Sequence, residues 1–358
     1  MNRAFWKGRR VFLTGHTGFK GGWLALWLAD MGAEVHGYAL QPPTQPSLFD
    51  VAALPGRLAS SVIGDLRDGG SLAEAMGAAR PEVVFHLAAQ ALVRRSYDAP
   101  VDTFATNAMG TVNLLEAVRQ VPGIRAVVNV TSDKCYDNRE WVWPYRENEA
   151  LGGLDPYSSS KACAELITAA YRHSFLAPLG VHLATARAGN VVGGGDWAAD
   201  RLVPDFLRAL DGGQPLLVRS PGATRPWQHV LEPLSGYLTL AERLHDDGQA
   251  FAEAWNFGPA ETDQRSVAWI AERLCAKVQG AAWHCQDVPR QPHEARALSL
   301  DSSKARAMLG WRPRWHLDTA LDRTLSWHRC WRNGDDMAQV TLAQIREYDA
   351  EARDEQPL

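Results

Sequence analysis

Short apolar runs alternate with longer alanine-rich or amphipathic windows through the first half of the chain. Val11, Phe12 and Leu13 form the first run, followed by glycines and a helical stretch over 21–31. Residues 33–38, 61–65, 82–87, 126–130 and 181–186 complete six strand candidates, with helical windows at 71–79 and 103–121. Runs this apolar read as strands buried on both faces, which requires a parallel sheet flanked by helices. Right-handed crossovers then give a doubly wound α/β sheet of the Rossmann type, with ligands at the strands' carboxyl ends. After residue 190 the pattern changes. Gly193-Gly194-Gly195, Gly212-Gly213 and Pro221-Gly222 break the chain into shorter elements, as expected of a smaller mixed α/β lobe covering the site. Residues 1–189 are assigned to the sheet domain, with segments near 226–258 and 318–332 returning to it. Residues 190–225 and 259–317 form the covering lobe. Residues 333–358 are a C-terminal tail with a weak helical pattern (Met337, Val340, Ile345, Tyr348) and a polar end expected to fray.

Composition narrows the class. Of 358 residues, 46% are apolar and 22% charged, a globular balance. A net charge of −4 without a basic block gives no support for nucleic-acid or membrane-surface binding. No run reaches the roughly 20 apolar residues of a membrane span, and MNRAFWKGRR lacks the apolar core of a signal peptide. The five cysteines show no CxxC spacing, so neither a disulfide frame nor a metal site is expected. These features predict a cytoplasmic protein.

Three stretches carry chemistry. TGHTGFKGGW, residues 14–23, puts Gly15, Gly18 and Gly21 between the first strand and its helix. A dinucleotide's pyrophosphate needs a tight turn, a close backbone approach and a helix N-terminus at that place. The second strand ends Tyr38-Ala39-Leu40-Gln41, with neither an acidic residue nor an arginine for a 2′-phosphate, which favours NAD over NADP. Asp65, ending the third strand, either hydrogen-bonds the adenine or caps the next turn. His16 and Lys20 are unusual inside a glycine loop, and the sequence leaves open whether they face cofactor phosphates or solvent. In VTSDKCYD, residues 130–137, a hydroxyl, a carboxylate and an ammonium stand side by side at a strand end. They make either a cap and turn, or a donor, an acid and a base aimed at one substrate. Third, DPYSSSK, residues 155–161, places Tyr157 and Lys161 on one helical face. A phenol of pKa near ~10 needs a neighbouring positive charge to act as a base at neutral pH.

The GxxGxxG loop, the serine at a strand end and the YxxxK pair resemble the extended short-chain dehydrogenase/reductase family of nucleotide-sugar enzymes. Within it, TSDKCYDN, RAGNVVGGGDWAADRLVPD, RPWQHVLEP, WNFGP and PHEARALSLD resemble the CDP-glucose 4,6-dehydratases, to about residue 332. The resemblance implies NAD held by Gly15, Thr17, Gly18, Phe19, Gly21, Asp65, Leu66, Leu87, Ala88 and Ala89, with Tyr157 and Lys161. It implies a nucleotide sugar, CDP-glucose, held by Gln90, Asn190, Arg201, Arg225, Asn256 and His293. It further implies oxidation at C4, with Tyr157 taking the hydroxyl proton and Ser132 bonding the same oxygen. Water then leaves across C5–C6 and hydride returns to C6, a step of deoxysugar and lipopolysaccharide O-antigen biosynthesis. Elimination asks for a base at C5 and an acid at the 6-hydroxyl, the roles that fall to Lys134 and Asp133. In dTDP-glucose dehydratases the matching pair is Asp-Glu, so Lys134 is a departure from the wider pattern. Ordinary ionisation is the reverse of these roles, and the swapped assignment stays open. Trp141, Trp143 and Trp227 are candidates to line the sugar pocket, against simple aromatic burial. A homodimer or homotetramer through the helices starting at Thr103 and Pro156 is implied. A 4-epimerase and a non-catalytic NAD-binding sensor are the competing readings; the first has no use for Asp133-Lys134, and the second none for Tyr157 and Lys161.

Overall fold

Each apolar run of the first half forms a strand in the computed structural model, which describes residues 1–285 and 297–354. The strands are β1 (Arg10–Thr14), β2 (Glu34–Ala39), β3 (Ser60–Ile63), β4 (Val83–His86), β5 (Ala126–Val130) and β6 (His182–Ala188). They are followed by β7 (Asn190–Val192), β8 (Leu216–Val218), β9 (Thr224–His229), β10 (Ala254–Phe257), β11 (Gln264–Ser266) and β12 (Trp283–Cys285). Among the described residues a seven-stranded parallel sheet has the order β10-β6-β5-β4-β1-β2-β3. The order reverses between β1 and β4, and the crevice beyond their carboxyl ends is where ligands bind in such sheets. Strand β10 did not register as an apolar run because Asn256 interrupts it; pairing with β6 supplies what the local pattern lacks.

The unbroken apolar runs follow from two cores, one on each face. Val11, Leu13, Val83, Phe85 and Val128 point into a core with Trp23, Trp27, Tyr237 and Trp255. Their neighbours Phe12, Val84 and Val127 point oppositely, onto Leu72, Leu114 and Leu115. Side-chain alternation therefore buries every residue of the central strands β4 and β5, whereas edge strand β3, expected to be buried on both faces, leaves Val62 and Ile63 exposed because it has a neighbour on one side alone.

The covering lobe has its own core of Val203, Phe206, Leu216, Trp227, Ile270 and Leu274. Mixed sheet β11-β9-β7 and the parallel pair β12-β8 frame it. The helix Leu317–Asn333 gives Leu321 and Leu325 to this core and Trp327 to the first. The tail region is more than a weak pattern. The helix Met337–Asp354 buries Met337, Leu342, Ile345 and Tyr348 in the main core; the expected fraying at 355–358 lies outside the described residues. No described helix is long and apolar enough to cross a membrane.

Candidate active site

A cleft of about 840 Å³ runs from the glycine loop over the carboxyl ends of β1, β4 and β5 to the covering lobe. The helix Pro156–Tyr171 enters it under a cap. Asp155 Oδ1 accepts from the Ser158 backbone N–H at 2.9 Å, and Pro156 occupies the first turn, where its missing N–H is harmless. Tyr157 and Lys161 lie buried one turn apart on the cleft side of this helix. Lys161 Nζ donates to the Val130 carbonyl at 3.3 Å, tying the helix to the last residue of β5. Just beyond, Ser132 forms the cap that the sequence allowed. Its Oγ accepts from the Lys134 N–H at 3.2 Å, capping the 3-10 turn Asp133–Cys135. It also donates to Asp133 Oδ1 at 3.0 Å and lies beside the Tyr157 phenol.

Burial dominates the electrostatics. It raises the Asp133 carboxyl, although Lys134, the Ser132 hydroxyl, Arg225 and Lys20 all pull the other way. It pushes the Tyr157 phenol up to about 12, with Ser132 opposing. It brings the Lys161 ammonium down to about 8. Lys134 itself is half-buried in the cleft wall. A third lysine joins this group. Lys20 Nζ donates to the buried Tyr237 hydroxyl at 3.4 Å, and burial, then Arg201 and Lys161, lower it to about 7. Lys20 therefore lies in the cleft near Asp133 and Lys161. His16 faces neither phosphates nor solvent. Its ring is buried under β2, Nε2 lies 2.8 Å from Ser61 Oγ, and burial lowers it to about 4.

The glycine loop fits a dinucleotide. Gly15 has φ +82°, and a Cβ there would meet the Ala88 nitrogen at 2.7 Å. A Cβ on Gly21 would lie 2.0 Å from the Gly15 carbonyl oxygen. The helix Phe19–Asp30 starts at Gly18 without a side-chain cap, which leaves backbone N–H groups for an anion. Thr17 donates its hydroxyl to the Leu40 carbonyl at 2.8 Å, joining the loop to β2. Leu66, Leu87, Ala88 and Ala89 line the same end of the cleft, with Phe19 and Asp65. The Asp65 carboxylate is engaged locally, accepting from the Arg67 backbone N–H at 2.9 Å and from the Arg67 guanidinium at 2.6 Å. The turn reading of Asp65 is thus realised, and its carboxylate is already paired where it meets the cleft.

Comparison with known proteins assigns the chain. The family model described as GDP-mannose 4,6 dehydratase matches residues 12–324. The chain belongs to this family. Among relatives of this GDP-mannose 4,6-dehydratase family member, the CDP-glucose 4,6-dehydratase of Salmonella typhimurium is 54% identical over 353 residues, 97% of this chain and 98% of that one. A dTDP-glucose 4,6-dehydratase of Xanthomonas campestris pv. campestris is 26% identical, covering 88% of this chain and 92% of its own. In fold, an epimerase of Methanothermobacter thermautotrophicus superposes with a TM-score of 0.80 at 24% identity, over 93% and 96% of the two chains.

Within this family member the remaining expected residues separate into three groups. Asn190, Arg201 and Arg225 line the cleft, Arg201 through an ion pair to Asp196 at 2.9 Å. Gln90 lines it too, but its amide is committed to the Leu92 carbonyl and Thr103 hydroxyl, both at 3.0 Å. Asn256 does not reach the cleft. It is fully buried, donating to the Tyr145 carbonyl at 2.9 Å and accepting from the Tyr136 hydroxyl at 2.8 Å. The WNFGP motif thus carries a structural asparagine: its position in β10 directs the side chain into the protein. His293 lies outside the described residues. Of the three candidate tryptophans, Trp227 lines the cleft, where Trp197, not singled out in the sequence, joins it; Trp141 stacks on Tyr145 at 5.5 Å and Trp143 is 68% exposed. Sequence reasoning missed Tyr237 and Gly189. A Cβ on Gly189 would meet Asp133 Oδ2 at 3.1 Å, so this glycine lets β6 pass the carboxylate closely. Gly189 falls inside a resemblance motif and Tyr237 just beyond one, but nothing local marks them.

Proposed function

We propose that the protein dehydrates CDP-D-glucose to CDP-4-dehydro-6-deoxy-D-glucose with NAD as its cofactor, as a step in deoxysugar biosynthesis. The observation that carries this reading is the Asp133–Lys134 pair set beside Ser132 and Tyr157, in a chain 54% identical to a CDP-glucose 4,6-dehydratase along almost its full length. NAD, when bound, supplies the two-electron acceptor that takes hydride from C4 and later returns it to C6. The Gly15–Gly21 cradle and the start of the helix Phe19–Asp30 would hold its pyrophosphate, and Lys161 would hold its ribose. Tyr157 accepts the 4-hydroxyl proton once the neighbouring Lys161 ammonium offsets the burial that raises its phenol, and Ser132 turns its hydroxyl from Asp133 to donate to the same oxygen. The resulting C4 ketone acidifies the C5 proton. Lys134 takes that proton as the 6-hydroxyl departs with a proton from Asp133, and C5 is reprotonated once hydride has reached C6. Burial keeps the Asp133 carboxyl raised, which favours the acid over the base role for it. Asn190 and Arg225 bind the diphosphate.

The helices Pro100–Phe104 and Pro156–Tyr171 and the helical turn Ala105–Met109 leave Val101, Leu166 and Met109 exposed, which suits a homodimer packed through them. The unpaired state of all five cysteines accords with a cytoplasmic protein.

The test is a product mass spectrum in deuterium oxide, with CDP-, UDP- and dTDP-glucose each supplied with NAD. Loss of one water from the CDP sugar alone, with one solvent deuterium gained at C5, is the expected result. An unchanged mass with a new sugar isomer would replace the dehydratase reading by the epimerase.

A further inference from the structure

The residues of the elimination sit on one short segment, 131–136, and one buried ion pair grips that segment at both ends. We propose that Glu165 and Arg187 are positioning residues that set the register of Ser132, Asp133 and Lys134 against Tyr157 and Lys161. Glu165 follows Lys161 by four residues and Tyr157 by eight, so all three share one face of the helix Pro156–Tyr171. Arg187 stands on β6 and meets Glu165 in a bidentate pair, Nη2 to Oε2 at 2.8 Å and Nε to Oε1 at 2.9 Å. Both side chains are 3% exposed.

From this pair two bonds reach the catalytic segment. The Thr131 hydroxyl donates to Glu165 Oε1, immediately before Ser132. Arg187 Nη1 donates to the Tyr136 hydroxyl at 2.8 Å, two residues after Lys134, and that hydroxyl donates on to Asn256 Oδ1. Thr185 Oγ1 fills the remaining position on Glu165 Oε2 at 2.7 Å. The carboxylate and guanidinium are thus fully engaged, and neither residue lines the cleft. A buried pair of this kind adds little net stability over a well-packed apolar replacement. What it adds is direction: planar groups with several bonds each allow one arrangement of helix, strand end and turn. This explains the buried role of Asn256, whose amide anchors the far end of the same chain of bonds.

The readouts rest on the dehydratase reading. Thr131→Val and Tyr136→Phe each remove one grip and leave the ion pair intact, avoiding the uncompensated buried charge of a Glu165 or Arg187 substitution. Single turnovers with CDP-glucose and NAD are followed by NADH absorbance and by exchange of the C5 proton, alongside the urea unfolding midpoint. Thr131→Val is expected to slow NADH formation about tenfold or more, because Ser132 shifts against Tyr157. Tyr136→Phe is expected to leave NADH formation within about twofold and slow C5 exchange by a similar tenfold, so that NADH accumulates. Unchanged rates in both variants, or equal slowing of NADH formation in both, would overturn the proposal. If the wild-type protein formed NADH but no dehydrated product, the dehydratase reading would fail while the Thr131→Val comparison still judged the grip.

Discussion

At the scale of the residue, position decides what a side chain of given chemistry does. Lys20, Lys134 and Lys161 are three lysines in one cleft, and they differ in surroundings. Lys161 has the Val130 carbonyl and lies near 8, whereas Lys20 has only a phenol within hydrogen-bond reach and lies near 7. A lysine lowered on folding binds fewer protons in the native than in the unfolded state across the interval between the two pKa values. Stability from Lys20 is therefore complete above pH ~10.5 and is lost as pH falls toward about 7. Urea unfolding of the wild type should grow more difficult from pH 7 to pH 9, by up to about 1 kcal/mol per unit from this group. The slope should flatten in Lys20→Met, and equal slopes in the two proteins would show that Lys20 is not held in a desolvated site.

At the scale of the element, the glycine loop and the capped helix show how much local sterics specify. The turn at Gly15 and the contact at Gly21 are properties of a chain that must pass over itself within seven residues, so the motif itself announces them. Gly21→Ala places a methyl carbon 2.0 Å from the Gly15 carbonyl oxygen and forces the loop apart. Binding of NAD, read by calorimetry on the folded variant, should weaken by at least about tenfold, or 1.4 kcal/mol, and the unfolding midpoint should fall as well. Unaltered affinity would mean that the loop does not hold the pyrophosphate. The strand-end turn was less legible. In the sequence a cap and a donor aimed at substrate looked like rivals; the structure shows the cap, which uses a lone pair of Ser132 and leaves its proton to donate, here to Asp133 Oδ1.

For the whole molecule, a single buried carboxylate closes the C-terminal helix onto the sheet domain. Glu232 accepts from the Tyr348 hydroxyl at 2.6 Å and from the backbone N–H groups of Trp315 and Arg314 at 2.8 and 3.0 Å. Burial pushes it up to about 7 against these donors. Tyr348→Phe removes the shortest of the three bonds and is expected to lower unfolding stability by about 1–2 kcal/mol in urea. A loss near zero would show that the helix Met337–Asp354 docks without help from the Tyr348–Glu232 bond.

The alternating apolar runs, the glycine spacing and the helical register of Tyr157 and Lys161 were decided by the sequence itself, since each depends on neighbours within a few residues. Strand periodicity, loop sterics and helix repeat are local rules, and they located six strands, the cofactor turn and the catalytic helix. Tertiary structure alone decided that Asn256 faces inward, that Lys20 rather than His16 turns to the cleft, and that Trp227 alone of three tryptophans lines it. Asn256 lies 120 residues from Tyr136 and 111 from Tyr145, its partners. Which distant surfaces meet is set by the packing of two cores against one sheet, and no short window of sequence carries that information.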